Sequence, residues 1–419
     1  MKQAEHQASQ RNAGTRNRHA EVLAHAVHVL NSRGVSQTSL GQIADDLGIS
    51  RAALYYYVDD LQDLVFQCYR ETCIRLTAQM GDALRIGGNE AEVIARFITE
   101  SLDPNGREFA SLSEIGVLSE AQKDEILGLY DGLLAQLAGV IAKGVSTGRL
   151  RPCDGWIAAH TIISMIFWIP ISEGWVPAVR SVPHAPSANA LVDLVLNGIV
   201  APGAHIEKTR ELDFGPLFPS SKGLFDKEFL TLARKEALLR AASQLFNQKG
   251  IDATSLDEVA AAVGATKRAI LHYFGDKLAL AEQAYKRAYR IYLFIPQTLA
   301  ASDLTPVEQL SSAWIAISEA YLQDDVAPLT SRAGLGGFGK AAREDIEGLS
   351  VQLTRDYREI LANARAAGQL RQFDDGAFLM VVAGACSWLA RGIFSAEPSE
   401  YGRISKEISD LLMMGLRHE

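Results

Sequence analysis

Residues Thr38–Tyr57, TSLGQIADDLGISRAALYYY, have a counterpart 216 positions later at Thr254–Tyr273, TSLDEVAAAVGATKRAILHY. Each stretch starts with hydroxyl residues, continues with apolar residues at helical spacing, and reaches a glycine, Gly48 or Gly264. A serine or threonine follows two residues later, and a second short helical run begins there. Serine and threonine favour helix starts, and glycine favours helix ends. Both stretches therefore predict a helix-turn-helix.

The repeat extends beyond these two stretches. Arg18–Tyr57 aligns with Arg234–Tyr273 without a gap, and 12 of the 40 positions are identical. The added segments carry apolar residues at helical spacing and end at a glycine, which predicts a longer helix before each helix-turn-helix. A weaker repeat at an offset of 220 pairs Gly148–Arg151 with Gly368–Arg371. The chain is therefore predicted to contain two copies of one architecture.

The composition is that of a folded protein with sizeable apolar cores. Of the 419 residues, 48% are hydrophobic and 22% are charged, which excludes a disordered chain or a fibrous repeat. The four cysteines are scattered, so neither a disulfide framework nor a paired zinc site is expected, and a reducing cytoplasm fits best. The segment 201–223 is rich in Pro, Gly and Ser and predicts a linker between the copies.

No membrane crossing is expected from the apolar segments. The longest apolar runs, Thr161–Ile171 and Phe378–Ala390, fall short of the roughly 20 residues that a spanning helix needs, so both predict buried helices. The polar N-terminal segment 1–14 lacks the apolar run of a signal peptide. Both observations favour the cytoplasm.

The charge is distributed unevenly along the chain. The whole chain has a net charge of −9, which taken alone argues against binding of nucleic acid. Residues 1–57, however, carry six Lys/Arg and four Asp/Glu, and residues 222–277 carry nine and seven. Each helix-turn-helix segment is thus +2 and the remainder is −13. The acidity lies away from the segments predicted to approach DNA.

These motifs resemble the DNA-binding domain of TetR/AcrR-type transcriptional regulators. In the first copy the resemblance is carried by Gly34, Thr38, Gly48, Ser50 and Tyr55-Tyr56-Tyr57. Gly250, Thr254, Gly264, Tyr273 and Lys277 carry it in the second. It covers about 50 residues per copy, with order, spacing and residue type all in agreement. The resemblance implies an all-α fold of two tandem TetR-like units, each with a DNA-binding domain and a helical effector-binding and dimerisation domain.

The resemblance also implies a division of the chain. The expected segments are a flexible N-terminal arm at 1–15, a first helix-turn-helix domain at 16–62, a first helical effector and dimerisation domain at 63–200, the linker at 201–223, a second helix-turn-helix domain at 224–278, and a second effector and dimerisation domain at 279–419. The last two helices of each half, near 155–169 with 189–200 and near 376–391 with 401–416, are implied to pair in a four-helix bundle. We expect an intramolecular pseudo-dimer. A homodimer of chains with four DNA-binding units remains the alternative.

By the same resemblance, the partner is double-stranded operator DNA, and site residues follow position by position. Phosphate contacts are implied for Thr38, Tyr56 and Tyr57, and for Thr254, His272, Tyr273 and Lys277. Base contacts are assigned to Arg51, Ala52 and Tyr55, and to Lys267, Arg268 and Leu271. Tyr57 and Tyr273 fit core packing equally well. Because the two recognition segments differ, one chain is predicted to prefer unlike half-sites, whereas a palindromic operator argues for a dimer of chains.

The first copy departs from the family pattern at two positions. Leu61 stands where the second copy has Lys277, and Val58 stands where it has Phe274. A neutral side chain at position 61 predicts a weaker phosphate contact in the first copy.

The resemblance further implies a pocket for a small apolar effector, lined by the aromatic-rich apolar helix of each half. The candidate lining residues are Trp156, His160, Phe167 and Trp168, and Phe378, Met380 and Trp388. Apolar residues at helical spacing fit core packing as well.

The resulting prediction is a ligand-responsive transcriptional regulator, with repression implied by the family and activation possible with the same parts. The alternative is a helical sensor or protein-interaction module whose DNA binding has degraded. An enzyme is not expected, because no catalytic constellation is present and the loop-like Gly334–Ala341 lacks the hydroxyl residue of a phosphate-binding loop. No cofactor and no metal site are predicted, since His19, His25 and His28 lack partners at ligand spacing.

Overall fold

The computed structural model describes residues 2–35, 37–172, 188–220, 227–331, 337–392, 394 and 396–418, without the side chains of 2–17. Regular structure in this part is helical, apart from two isolated β-bridges. The expected all-α fold is confirmed. Part of the segment Gly334–Ala341, residues 334–336, lies outside the described residues.

The described part of the first half contains eight α-helices. They are α1 (Lys2–Arg33), α2 (Leu40–Asp46), α3 (Arg51–Leu54), α4 (Leu61–Ile86), α5 (Glu90–Ser101), α6 (Glu120–Ser146), α7 (Gly155–Ser172) and α8 (Ala188–Asn197). A 3₁₀ turn, Ile115–Val117, lies between α5 and α6. Many starts are fixed by side-chain caps: Asn89 and Glu92 form a reciprocal capping box at α5, for example. The range of α1 includes the segment 1–15 for which the sequence predicts an arm.

The described part of the second half has the same order of helices. They are α9 (Lys227–Lys249), α10 (Leu256–Ala262), α11 (Lys267–Phe274), α12 (Lys277–Ala300), α13 (Pro306–Leu322), α14 (Lys340–Ala366), α15 (Asp375–Ala385) and α16 (Tyr401–Met414). Short 3₁₀ turns occur at Gly215–Leu217, Ser387–Ala390 and Pro398–Glu400. Helix α15 therefore ends earlier than the expected 376–391, and a 3₁₀ turn completes that segment.

Four helices form the contact between the halves. Helix α7 packs against α15 and α16, and α8 packs against both of them as well. Close approach requires small residues: a Cβ atom on Gly384 of α15 would collide with the side chain of Trp168 on α7. The hydroxyl of Ser164 on α7 donates to the Gly384 carbonyl at 2.7 Å. The expected four-helix bundle is thus built within one chain.

The chain ends of the two halves cross over each other. The Arg151 N–H donates to the Leu416 carbonyl at 2.9 Å, and the equivalent Arg371 N–H donates to Ile199 at 3.1 Å. The Arg151 guanidinium also donates to the Gly415 carbonyl, and that of Arg371 donates to Gly198. Each half therefore receives the end of the other. This reciprocal contact explains why the Gly-x-Leu-Arg segment recurs at an offset of 220.

The described part of the linker lies against the second half. The Lys208 N–H donates to the Glu308 carboxylate and the Arg210 N–H donates to the Ser312 hydroxyl, both at 3.0 Å. Phe214 is buried. Residues 208–214 therefore pack along α13, a contact that their turn-rich composition does not reveal.

Two helices, α6 and α7, are long and apolar enough to cross a membrane by length and composition alone. Of the apolar window of α7, 83% is buried inside the protein, because this helix lies in the centre of the bundle. Such burial is typical of a core helix.

Candidate nucleic-acid interface and effector cavity

The first helix-turn-helix unit is held together by small buried residues and two serine caps. The Ser39 hydroxyl accepts from the Gln42 N–H, and the Ser50 hydroxyl accepts from the Ala53 N–H, both at 3.1 Å. Gly48 joins the two helices at a φ of +63°, a left-handed conformation that glycine adopts without strain. Leu54 is fully buried, which turns the opposite face of α3 to solvent.

The exposed face of the first unit carries the residues assigned to base contacts. Arg51 and Ala52 are exposed, and the side chains of Tyr55 and Tyr56 are 55% and 74% exposed. Tyr57 is half-buried and stacks on His19 with ring centroids 5.8 Å apart. In the free chain, Tyr57 therefore takes part in packing, which is one of the two roles predicted for it.

Helix α3 is shorter than the sequence predicts. The expected helix Arg51–Tyr57 ends at Leu54, and Tyr55–Tyr57 form turns. In the second unit, α11 continues to Phe274 and ends at Gly275 with a φ of +88°. The first copy has Asp59 at the position of this glycine, so the left-handed C-cap that terminates the longer helix is missing there.

The second unit presents a more basic surface. Lys267, Arg268, Leu271 and His272 are exposed, while Ile270 is buried beneath them. Lys267 pairs with Asp257 at 3.0 Å, in an exposed ion pair that water and salt weaken. The guanidinium of Arg268 has no ion pair among the described residues. It is the most available cation of this recognition helix.

Thr38 and Thr254 occupy buried positions at the turn before the second helix of each unit. Thr38 is only 5% exposed and Thr254 only 1% exposed. The Thr38 hydroxyl donates to the Gly34 carbonyl at 2.7 Å, and the Thr254 hydroxyl donates to the Gly250 carbonyl at 2.8 Å. In the free chain both hydroxyls therefore stabilise the turn and do not face solvent, unlike the expected phosphate contact.

Lys277 is half-buried and also supports the turn. Its Nζ donates to the carbonyls of Asp252 and Thr254, at 3.0 and 3.2 Å. Tyr273 is half-buried within the same unit, and the Lys235 ammonium lies 5.8 Å from its ring centroid. The first copy lacks the lysine, since Leu61 stands there.

A pair of asparagines, missed as functional candidates, attaches each DNA-binding unit to its helical domain. Asn31 donates to the Phe109 carbonyl at 2.7 Å and accepts from the Ser111 N–H at 2.9 Å. Asn247 donates to the Pro328 carbonyl at 2.8 Å and accepts from the Thr330 N–H at 2.9 Å. Their identity in the repeat was the available signal, because a polar residue at a helix end gives no indication of a distant partner.

One loop of the first half contacts both DNA-binding units. The Glu114 carboxylate accepts from the Val35 N–H of the first unit at 2.7 Å. The neighbouring 3₁₀ turn Ile115–Val117 packs against α9 of the second unit. A Cβ atom on Gly116 would collide with the backbone of Lys249. Both units are therefore anchored to the same rigid loop.

A cavity of about 100 Å³ lies in the second half, between α12, α13, α14 and α15. Its aromatic walls are Trp168, Tyr289, Tyr292, Trp314, Tyr321 and Tyr357. A space of about 20 Å³ lies between the halves, beside Tyr130 of the first half and Asn247 and Arg391 of the second. A more open groove of about 740 Å³ lies at the crossed chain ends and has a charged lining that includes Arg151, Arg371 and Lys406.

Of the seven residues predicted to line a pocket, Trp168 borders the 100 Å³ cavity. His160 instead stacks on Trp388 at a centroid distance of 4.4 Å, with the half-exposed Trp156 beside it. Phe167 packs on Tyr130, Phe378 packs on Trp314, and the Met380 carbonyl accepts from the Trp168 indole. In the described part of the chain, the contacts of the other six are with residues of the packed helices, and their role at a pocket stays a prediction. Sequence periodicity places residues on a helix but does not tell which face meets a cavity.

The buried histidine is neutral at physiological pH. Burial, together with the nearby positive charge of Arg391, lowers the pKa of His160 to about 4. Among the described residues, no group of three or more His, Cys, Asp or Glu side chains is arranged to hold a metal ion.

Two segments, residues 22–68 and 238–284, match the family model of bacterial regulatory proteins of the tetR family. The fatty acid metabolism regulator protein of Bacillus subtilis is 20% identical over 189 residues, covering 44% of this chain and 96% of that protein. The HTH-type transcriptional regulator AcrR of Shigella flexneri is 23% identical over 192 residues, covering 42% and 86%.

Solved structures show the same extent of similarity. The TetR-family regulator PfmR of Thermus thermophilus is 22% identical, with 43% of this chain and 99% of that one covered and a TM-score of 0.36. AibR, solved with isovaleryl coenzyme A and operator DNA, is 18% identical, with 42% and 94% covered and a TM-score of 0.35. The two family segments coincide with the two helix-turn-helix units described above. The chain is a TetR-type transcriptional regulator built of two tandem TetR-like halves.

Proposed function

We propose that a single chain binds one operator with two unlike half-sites and represses transcription until a small apolar effector releases it. The observation that carries this proposal is the attachment of two different recognition helices to one bundle with crossed chain ends. A two-fold arrangement of DNA-binding units places them on two half-sites. Because both units belong to one chain here, their sequences are free to differ.

The proposed base contacts follow from exposure. Arg51, Ala52 and Tyr55 serve the first half-site. Lys267, Arg268 and Leu271 serve the second. Arginine and lysine recognise guanine edges, whereas alanine and leucine contact thymine methyl groups. The second half-site is accordingly proposed to carry more of the sequence specificity.

The proposed phosphate contacts come from exposed side chains around these helices. Tyr56 and His272 meet the backbone, and Tyr57 and Tyr273 position them from half-buried sites. Lys277, Thr38 and Thr254 act by holding the turns. The low net charge of each unit, +2, predicts modest affinity, because few phosphates are neutralised and few counterions are released.

Effector release is proposed to pass from the helical domain to the DNA-binding units through the buried asparagines and the shared loop at 114–117. If an effector lowers operator affinity, then operator DNA lowers effector affinity by the same factor. These steps belong to the cytoplasm, where the operator lies. The proposed domain limits are those predicted from the sequence, with helix-turn-helix domains at 16–62 and 224–278.

The test is selection of the purified chain against a random duplex library, with the mass of the complex measured in parallel. We expect an enriched motif with two unlike halves, bound by one chain. A palindrome bound by two chains would replace the pseudo-dimer by a homodimer. Absence of any enriched motif would favour the sensor or interaction module.

Two substitutions sharpen the test. Arg268→Ala removes an exposed guanidinium from the recognition helix, so we expect a loss of about 1–3 kcal/mol and relaxed specificity in one half-site only. Arg85→Ala is the matched control, because Arg85 is an exposed arginine at the far end of α4. Equal effects of both changes would show that the contact is not specific.

A further inference from the structure

The 100 Å³ cavity of the second half has an uncharged wall. Its described lining consists of aromatic, aliphatic and hydroxyl residues, with no Lys, Arg, Asp or Glu among them. Burial raises the pKa of Tyr357 and of Tyr321, so both phenols keep their protons at neutral pH. A charged molecule entering this cavity would lose its hydration without gaining an ion pair, so the wall favours an uncharged one.

Most polar groups on the wall already have partners. Tyr292 donates to the Leu329 carbonyl at 2.9 Å and lies 2.7 Å from the Tyr321 hydroxyl. The Trp168 indole donates to the Met380 carbonyl at 2.7 Å. These groups keep the shape of the cavity and leave little hydrogen-bonding capacity for a ligand.

Two buried donors on the same wall are different. The Tyr357 hydroxyl and the Trp314 indole N–H have no hydrogen-bond partner among the described residues. Tyr357 is 4% exposed and Trp314 is 2% exposed, and their rings stack with centroids 5.1 Å apart. Buried donors are nearly always paired in folded proteins, because an unpaired one loses its hydration without replacement. Two adjacent unpaired donors beside a cavity indicate an acceptor that the free chain lacks.

We propose that this cavity binds one small uncharged carbonyl compound, smaller than a benzene ring, whose oxygen accepts a hydrogen bond from Tyr357, Trp314 or both. The size follows from the volume, since a cavity that accommodates benzene has about 150 Å³ and this one has about 100 Å³. The aromatic walls offer apolar contacts to the alkyl groups of such a molecule. Its role as the effector rests on the proposed function, whereas its binding does not.

The described part of the first half has a smaller space at a related position. At the offset of 220, Tyr130 takes the place of Ser350, which lines the cavity. Tyr130 borders a space of about 20 Å³ between the halves, which is room for about one water molecule. One ligand per chain, in the cavity of the second half, is the expected stoichiometry.

A ligand in the cavity would contact the first half directly. Trp168 belongs to α7 of the first half, yet it forms part of the wall. Its side chain also lies against Gly384 of α15. A ligand that pushes on this indole therefore acts on the contact between the halves.

The experiment is titration of the full chain without DNA, by calorimetry, with acetone, isobutene and acetate. Isobutene has the shape of acetone with a methylene group in place of the oxygen, and acetate adds a charge. We expect acetone to bind once per chain, isobutene to bind about tenfold more weakly, and acetate not to bind. Tyr357→Phe and Trp314→Phe should each reduce the preference for acetone over isobutene.

The matched control is Tyr130→Phe, which removes a buried and likewise unpartnered hydroxyl from the first half. It should leave the acetone titration unchanged. Equal binding of acetone and isobutene, two ligands per chain, preferred binding of acetate, or no binding by any probe would each overturn the proposal. None of these outcomes would affect the operator selection, so failure of this inference is distinguishable from failure of the proposed function.

Discussion

Substitution of Asn247 by alanine tests the attachment of the second DNA-binding unit to its helical domain. Asn247 is 4% exposed, and its amide makes three hydrogen bonds to the loop at 328–330. Two of these involve backbone groups, the Pro328 carbonyl and the Thr330 N–H. Alanine removes both partners and is too small to admit well-placed water without rearrangement.

The magnitude follows from the groups left behind. A buried backbone group without a partner costs about 1–3 kcal/mol, so two cost roughly 2–6 kcal/mol if the loop does not move. Loops relax, and the Thr330 hydroxyl is free to find another acceptor, so we expect about 2–4 kcal/mol of lost stability. Asn31→Ala should have a similar effect in the first half, because it breaks the equivalent bonds to Phe109 and Ser111.

Amide hydrogen exchange at Thr330 measures this directly, since local opening is faster when the N–H loses its acceptor. Urea unfolding of the same variant gives the change in free energy. Asn363→Ala is the control, because Asn363 is an exposed asparagine on α14. Unchanged protection at Thr330 together with a loss below about 0.5 kcal/mol would refute the role of Asn247 as an anchor.

Three further substitutions probe charge and packing. Lys249 and the cap at Ser255 lower the pKa of Glu258 to about 2, so Lys249→Met should raise it toward the ordinary 4.5, measured by NMR titration. Because the pKa of His160 is lowered in the folded chain, the unfolded chain takes up a proton at a higher pH, and the free energy of unfolding falls as the pH drops from about 6.5 to 4. His160→Phe should remove up to about 3 kcal/mol of this pH dependence, measured by unfolding at several pH values. Gly384→Ala forces a collision with Trp168 and should cost about 1–3 kcal/mol and alter tryptophan fluorescence.

Local signals predicted the DNA-binding units well. Thr38, Ser39 and Gly48 act through hydrogen bonds or backbone angles within a few residues, so their types and spacing suffice to place the turn. The length of α3 was predicted wrongly: Asp59 stands at the position where Gly275 caps the longer helix of the second copy. A glycine C-cap is a local signal, so this difference between the copies is visible in the sequence.

The 100 Å³ cavity of the second half could not be predicted from the sequence, for a physical reason. Its walls come from four helices of one half and from Trp168 of the other, and only the packing angle between them decides which residues border the space. Trp168 and Trp388 occupy equivalent positions in the repeat, yet Trp388 stacks on His160 and fills its surroundings. Identical residues thus line a cavity in one half and complete a core in the other.

The distribution of identities in the repeat separates scaffold from specificity. The asparagine anchors and turn threonines are the same in both copies, and each makes the same contact within its own half. Arg151 and Arg371 are also equivalent, and each makes the same contact with the chain end of the other half. Differences occur on the exposed recognition helices and around the cavity. A homodimer could not vary these positions independently, because every change would appear twice. One chain with two copies can, so the proposed asymmetric operator and the proposed single ligand both rest on the covalent link between the halves.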